Sequence, residues 1–143
     1  MAYMDWSETL SVGVKEIDNQ HKNLIKMIDE FYVRMMESDR SACRERDRIA
    51  LGKLLSSLVE YTVYHFQTEE KYMDKFNYAD TLNHKKEHRF FVEKVMDIKK
   101  RFDDGLLVLS VEATNFVKDW IIEHVMGSDK NYSKCFIENG LNR

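Results

Sequence analysis

Apolar residues recur every three or four positions in four separate stretches of the chain, a spacing that places them on one face of an α-helix. The absence of proline allows each stretch to run without interruption. The pattern predicts helices over about residues 18–38, 43–76, 81–104 and 110–128. An arm over about residues 1–17 precedes them, and a segment over residues 129–143 follows. No alternating pattern of the kind that indicates strands competes with this interpretation.

Polar residues and a glycine mark the predicted helix ends. Asp18 is a good N-cap for the first helix, and Ser110 begins the fourth. Gly105 suits the left-handed position that ends the third helix. Four amphipathic helices joined by short loops form an antiparallel up-down-up-down bundle. We therefore expect an all-α fold, a four-helix bundle with an N-terminal non-helical arm, in one domain over residues 1–143.

Composition narrows the classes of partner and the location. Hydrophobic residues make up 43% of the 143 and charged residues 33%, which is ordinary for a globular domain. The net charge of −3 provides no basic patch for nucleic acid, and no apolar run is long enough for membrane insertion. The N-terminus "MAYMDWSETL" lacks a signal-peptide pattern, so we expect a cytoplasmic protein. Cys43 and Cys135 form no C-x-x-C pair and are expected to be reduced thiols.

The five histidines all lie on apolar stripes and at one end of the predicted bundle. His21, His84 and His88 lie near the starts of the first and third helices, whereas His65 and His124 lie near the ends of the second and fourth. An antiparallel bundle brings those positions together. A lone histidine on an apolar face is more often satisfied by a hydrogen bond than by a metal. Five together cannot all be charged, and a metal centre satisfies neutral imidazoles directly.

Two carboxylates accompany these histidines. Glu69 follows His65 by four residues, one helical turn further on the same face. Asp129 follows His124 by five residues, which is about 140° away on an ideal helix. We therefore expect the helix to unwind around Gly127 if Asp129 is to reach the same site. Five imidazoles and two carboxylates exceed the needs of one ion, so the pattern predicts two ions bridged by the carboxylates.

The residue types leave the metal and some neighbouring roles open. Imidazole-rich coordination without thiolates suits iron, zinc or copper, and the spacing does not choose among them. Glu70, next to Glu69, is expected to be a solvated surface charge. Tyr132, three residues after Asp129, either hydrogen-bonds to the site or is a surface tyrosine.

The ordered set of ligand candidates on four helices resembles the hemerythrins, and in particular the single-domain bacterial branch of that family. The motifs that carry the resemblance are His21 in "DNQH", His65-x-x-x-Glu69, His84-x-x-x-His88, and His124 with Asp129 five residues later. Trp6 and the segment "VGVKEIDNQHKNLI" also fit, so the resemblance extends roughly from Trp6 to Tyr132.

The resemblance implies a non-haem di-iron centre that binds dioxygen reversibly. Carried over by position, three histidines hold one iron, two hold the other, and the two carboxylates bridge them together with an oxo or hydroxo group. The resemblance assigns the first iron to His84, His88 and His124 and the second iron to His21 and His65. The bridging carboxylates are Glu69 and Asp129. Dioxygen would then be held as a hydroperoxide on the two-histidine iron.

Reversible binding also favours a dry, apolar pocket. The candidates are apolar residues near ligands along the helices, and ordinary core packing is the alternative role for each. They are Leu24, Phe66, Trp120, Ile121 and Val125.

Other functions remain as alternatives. One is a di-iron redox enzyme, such as an oxidase, a peroxidase or a nitric-oxide-reducing protein, but oxygen-activating ferritin-like proteins use more carboxylates. Another is an oxygen or redox sensor module, which usually needs an output domain. A metal-free bundle leaves five buried histidines unexplained. We expect a binding protein that is not an enzyme, a monomer or weak oligomer, with dioxygen and an unidentified oxygen-accepting protein as partners.

Overall fold

Helices joined by short turns make up almost all of the computed structural model, which describes residues 4–38, 45–104 and 111–141. The arm contains a single 3-10 turn, Glu8–Leu10. The helices are α1 (Lys15–Ser38), α2 (Glu45–Lys75), α3 (Thr81–Asp103), α4 (Val111–His124) and α5 (Lys130–Glu138). A π-helical turn, Val125–Asp129, joins α4 to α5 without a break.

The predicted all-α four-helix bundle is confirmed. α2 packs against both α1 and α3, and α4 closes the bundle by contacting α1 and α3. Apolar stripes from all four helices meet in one core, to which α1 contributes Leu24 and Ile28, α2 Leu55 and α3 Phe91. Burial of these stripes is the main source of stability, since each buried aliphatic or aromatic side chain contributes about 1.5–3 kcal/mol.

The predicted start of the first helix at Asp18 is wrong, because α1 begins three residues earlier at Lys15. The Asp18 carboxylate does not cap the helix. It accepts hydrogen bonds from Ser11 Oγ at 2.5 Å and from the Val12 N–H at 2.8 Å. The Val14 carbonyl accepts the first helical hydrogen bond, from the Asp18 N–H at 2.8 Å. Asp18 therefore ties the arm to the first turn of α1, where a negative charge is also favourable.

The predicted end of the fourth helix at residue 128 is also wrong, because the chain stays helical to Glu138. α5 has an apolar stripe of its own, with Tyr132 and Phe136 fully buried. Gly127 does not stop the helix, since its φ is not positive, whereas Gly140 takes the left-handed conformation just after α5.

The remaining predictions at helix ends concern the start of the third helix and residues outside the described ranges. The third helix begins at Thr81 as expected. Cys43, Gly105 and Ser110 lie outside the described residues. Cys135, on α5, is a half-buried free thiol. None of the helices in the three described ranges is long and apolar enough to cross a membrane.

Candidate metal centre

The seven predicted ligand candidates meet at one end of the bundle, and each is at most 5% exposed. Every helix of the bundle contributes at least one of them. α1 supplies His21, α2 supplies His65 and Glu69, α3 supplies His84 and His88, α4 ends at His124, and the π-helical turn ends at Asp129. This convergence requires the starts of α1 and α3 to lie beside the ends of α2 and α4, as in an antiparallel bundle.

The ligand-type atoms of these residues form two overlapping groups, and within each group all of them lie within 4.8 Å of one another. Glu69 and Asp129 belong to both groups. The three-histidine group is Glu69, His84, His88, His124 and Asp129, and the two-histidine group is His21, His65, Glu69 and Asp129. Each group has the size of a binding site for one cation, and the two sites would share their carboxylates.

The Asp129 carboxylate lies between the two groups of histidines. Its Oδ2 is 3.0 Å from His21 Nε2, while its Oδ1 is 3.0 Å from the Nε2 atoms of His84 and His124. One oxygen therefore faces the two-histidine group and the other faces the three-histidine group, which is the disposition of a bridging carboxylate.

Glu69 occupies the corresponding place on α2. Its Oε1 is 3.0 Å from His65 Nε2 and 3.5 Å from His88 Nε2, so it also contacts both groups. Its Oε2 accepts a hydrogen bond from the Tyr132 hydroxyl. Tyr132 is fully buried, so of its two predicted roles the structure supports the hydrogen bond to the site.

The unpaired atoms at the centre of this cluster fit cations. Glu69 Oε1, both Asp129 oxygens and His21 Nε2 are buried without a hydrogen-bond partner among the described residues. His124 Nε2 faces the Nε2 atoms of His88 and His84 at 3.1 and 3.2 Å. Buried polar atoms are rarely left unpaired, and one cation in each of the two groups would satisfy these atoms. Nitrogen and oxygen donors without a thiolate suit iron, zinc or copper.

Asp129 reaches the cluster because the helix is locally unwound, as expected, and takes the form of a wider π-turn. The Lys130 N–H bonds to the Val125 carbonyl, five residues earlier, so the step of five positions from His124 to Asp129 makes about one turn. The turn does not depend on the flexibility of Gly127, whose φ is not positive and whose added Cβ would meet nothing within 4 Å. Such π-turns occur frequently at functional sites.

The outer nitrogens of three histidines have polar neighbours that the sequence did not reveal. His88 Nδ1 donates to Glu70 Oε2 at 2.8 Å, and His65 Nδ1 donates to Gln20 Oε1 at 2.7 Å. The expectation that Glu70 is a solvated surface charge is therefore wrong, since its side chain is 29% exposed and paired. Metal-bound histidines usually donate their outer N–H to an acceptor, so the predicted ligands already implied that such acceptors exist. The sequence did not show which residues they are.

A third outer neighbour joins α3 to the π-helical turn. His124 Nδ1 lies 3.4 Å from Glu87 Oε1, and the same oxygen accepts a hydrogen bond from Ser128 Oγ at 2.7 Å. Glu87 thus contacts both a ligand candidate and the turn that positions Asp129.

The electrostatics of the cluster keep both central carboxylates negative. Burial tends to raise the pKa of Asp129, but the imidazoles of His124, His21 and His84 hold it well below its usual range. Burial and Asp129 likewise tend to raise the pKa of Glu69, but His65 and His88 lower it to about 2. Two buried carboxylates that stay ionised attract cations.

The pKa values of the two histidines nearest Glu69, His65 and His88, are shifted in opposite directions. Burial lowers the pKa of His65 below its usual value, and Glu69 does not offset it. Burial also tends to lower the pKa of His88, but the nearby carboxylates of Glu69 and Glu70 raise it to about 9. The Glu70 carboxylate, which contacts His88 and not His65, thus contributes to the higher pKa of His88.

The five predicted pocket residues lie in or beside the core. Leu24, Phe66, Ile121 and Val125 are buried, and Trp120 is half-buried. The Phe66 ring stacks on His88 with centroids 3.8 Å apart, and Trp120 stacks on His124 at 4.5 Å. These aromatic contacts cover the three-histidine group, and a lining role beside the two-histidine group stays a prediction.

Comparison with known proteins agrees with this arrangement. Residues 12–135 match the family described as "Hemerythrin HHE cation binding domain". A bacteriohemerythrin of Methylococcus capsulatus is 35% identical over 136 residues, which cover 94% of this chain and 98% of the relative. A bacteriohemerythrin of Stenotrophomonas maltophilia is 30% identical over 133 residues, 93% of this chain and 81% of the relative.

A solved structure shows the same fold. The crystal structure of a wild-type hemerythrin superposes with a TM-score of 0.83 at 32% identity, covering 94% of this chain and 98% of the other. The segment matched by the family contains all seven ligand candidates.

Proposed function

Because the chain belongs to the hemerythrin family, as its ligand pattern indicated, we propose that it binds dioxygen reversibly at a non-haem di-iron centre. The role would be that of an oxygen carrier, store or scavenger. The observation that carries the proposal is the sharing of Glu69 and Asp129 between two groups of ligand-type atoms.

In this proposal, His84, His88 and His124 hold one iron and His21 and His65 hold the other, with both carboxylates shared. The two-histidine position has one protein ligand fewer than its neighbour. We propose that this position is where dioxygen binds. Two ferrous ions would supply the electrons that reversible binding requires, and an oxo or hydroxo group would complete the bridge.

The protein's own contribution is to orient the ligands and to exclude water. The seven ligand candidates are buried, so the centre is shielded from bulk solvent. The Tyr132 hydroxyl holds one oxygen of Glu69, while Gln20 and Glu70 orient His65 and His88. Aromatic rings cover part of the histidine cluster.

The donor set favours binding over catalysis. Ferritin-like proteins with di-iron carboxylate sites place four glutamates and two histidines around the metals. The two groups described here contain five histidines and only two carboxylates. A site with so little negative charge stabilises the higher oxidation states of iron less well, so we propose a binding protein and not a redox enzyme.

The test is an oxygen-cycling experiment with visible absorption. The protein is loaded with ferrous iron without oxygen, exposed to oxygen, and then flushed with argon over several cycles. We expect a band that forms with oxygen and fades on its removal. A band that never forms, or a spectrum that does not recover, would favour a redox enzyme or sensor.

A pair of variants assigns the band to the two-histidine position. His65→Ala removes one of its ligand candidates and should abolish the reversible band while most helical circular dichroism remains. Gln67→Ala, at an exposed position on the same helix, is the matched control and should cycle like the unmodified chain. Unchanged cycling in His65→Ala would refute the ligand assignment.

A further inference from the structure

The outer nitrogens of the ligand histidines contact different kinds of partner in the two groups. In the three-histidine group, His88 Nδ1 donates to the Glu70 carboxylate at 2.8 Å, and His124 Nδ1 lies 3.4 Å from the Glu87 carboxylate. In the two-histidine group, His65 Nδ1 donates to the neutral amide of Gln20 at 2.7 Å. The Nδ1 atoms of His21 and His124 are both buried without a hydrogen-bond partner in the described parts of the chain, so His124 and Glu87 are close in space but not hydrogen-bonded.

Neighbouring residues hold these outer partners in place. Gln20 is buried, and its Nε2 donates to Thr68 Oγ1 at 3.4 Å, which leaves its carbonyl oxygen facing His65. Glu87 accepts the hydrogen bond of Ser128 on the side of the π-helical turn. The difference between carboxylate and amide partners is therefore built into the packing of α1 to α4.

An anionic acceptor changes an imidazole more than a neutral one does. A hydrogen bond to a carboxylate is charge-assisted and stronger than a hydrogen bond to an amide. It orients the ring and raises the basicity of the nitrogen that binds the metal. Outer partners of this kind commonly alter metal affinity by about 10–100-fold.

We propose that Glu70 acts as a positioning residue that makes the three-histidine position the tighter of the two cation sites. This inference rests on the proposed two-cation centre and concerns the difference between its halves. Cations fill the three-histidine position first and leave it last. The two-histidine position, whose outer hydrogen bond among the described residues goes to the neutral amide of Gln20, is the more easily emptied.

The test is a titration of the metal-free chain with Co²⁺ under anaerobic conditions, with a competing chelator and visible absorption as the readout. We expect two steps of different affinity for each chain. His65→Ala removes a ligand of the two-histidine position alone, so it should delete the weaker step and keep the tighter one. That result identifies which step belongs to which position.

Two charge variants then test the outer partners directly. Glu70→Gln keeps an acceptor of the same shape but removes its charge, and it should weaken the tighter step by about 10-fold or more while the weaker step keeps its affinity. Glu93→Gln, at an exposed position on α3, is the matched control and should leave both steps unchanged. The converse variant, Gln20→Glu, should tighten the weaker step. Helical circular dichroism verifies folding in each case.

Three outcomes would overturn the inference. Two normal steps in Glu70→Gln, or equal weakening of both steps, would refute the role of Glu70 and leave the two-cation centre standing. Uptake of only one cobalt by the unmodified chain would instead refute both the two-cation centre and the inference that rests on it.

Discussion

Tyr132 connects the last helix of the chain to the candidate metal centre through a single hydroxyl. The residue is fully buried, and its hydrogen bond to Glu69 joins α5 to α2. Burial and the two nearby carboxylates raise the pKa of this phenol well above its usual value, so it remains a donor at any physiological pH. It thus fixes one oxygen of Glu69 while the other faces the histidines.

Replacing this donor should weaken the fold at the site. We expect Tyr132→Phe to lower the free energy of unfolding of the metal-free protein by about 1–3 kcal/mol, because a buried carboxylate oxygen loses its partner. Urea denaturation measures the change. Tyr64→Phe, at an exposed position, is the control and should stay within about 0.5 kcal/mol of the unmodified chain. An unaltered midpoint in Tyr132→Phe would mean that the hydroxyl contributes nothing to stability.

Single residues were predictable from the sequence where helical spacing decides their direction. The pair His65 and Glu69 lies on one face of one helix, so four-residue spacing was sufficient to predict the contact. Glu70 and Glu87 were missed because each contacts a histidine on a different helix. Such contacts depend on the rotation and offset of neighbouring helices, which periodicity does not specify.

At the scale of elements, the π-helical turn determines whether Asp129 belongs to the site. Sequence spacing on an ideal helix turned Asp129 away from His124, and only the wider turn brings them to one side. The local sequence contains no distinct indication of a π-turn, and Gly127 within it does not have a positive φ. The turn is explained by packing, with α5 buried through Tyr132 and Phe136 on one side and Glu87 bonded to Ser128 on the other.

Two glycine variants test whether this turn needs a glycine. We expect Gly127→Ala to keep two cations and to match or exceed the stability of the unmodified chain by about 0.5–1 kcal/mol, because the added Cβ meets no atom within 4 Å and alanine favours helices. Gly13→Ala should instead destabilise the fold, since Gly13 has a φ of +74° and a Cβ there would lie 3.2 Å from Ile137 Cδ1. Thermal unfolding and metal analysis measure both. Loss of cations in Gly127→Ala would show that the turn requires glycine.

Helix ends were the weakest part of the sequence prediction at this scale. Asp18 has the residue type of an N-cap, but its carboxylate bonds to the arm, a contact that depends on how the arm folds back. The fourth helix lacks a stop signal before Gly140, and the expected end at residue 128 gave too much weight to Gly127.

At the scale of the whole molecule, the four helices are held together at one end by the metal-ligand candidates and elsewhere by an apolar core. The fold class followed from periodicity, the absence of proline and the short loops, because these leave few arrangements other than an antiparallel bundle. That topology in turn predicted that all five histidines converge. The identity of the metals and their chemistry rest on the family, since spacing does not select iron.

Cations that connect four helices should stabilise the whole fold. At a free concentration about 100 times the Kd, binding should contribute about 2.7 kcal/mol at each site, or about 5.4 kcal/mol for both, which raises Tm by roughly 10–20 °C for a chain of this size. We expect a chelator to reverse this rise while most helical circular dichroism remains, because the core does not depend on the metals. Differential scanning calorimetry of loaded and chelated protein provides the measurement. Identical Tm values would contradict binding between helices.

The central claim is that two irons share Glu69 and Asp129, and anomalous diffraction from iron-loaded crystals tests it most directly. We predict two iron peaks for each chain, roughly 3.5–4 Å apart, with both carboxylates between them. A single peak, or two peaks that share neither carboxylate, would contradict the account.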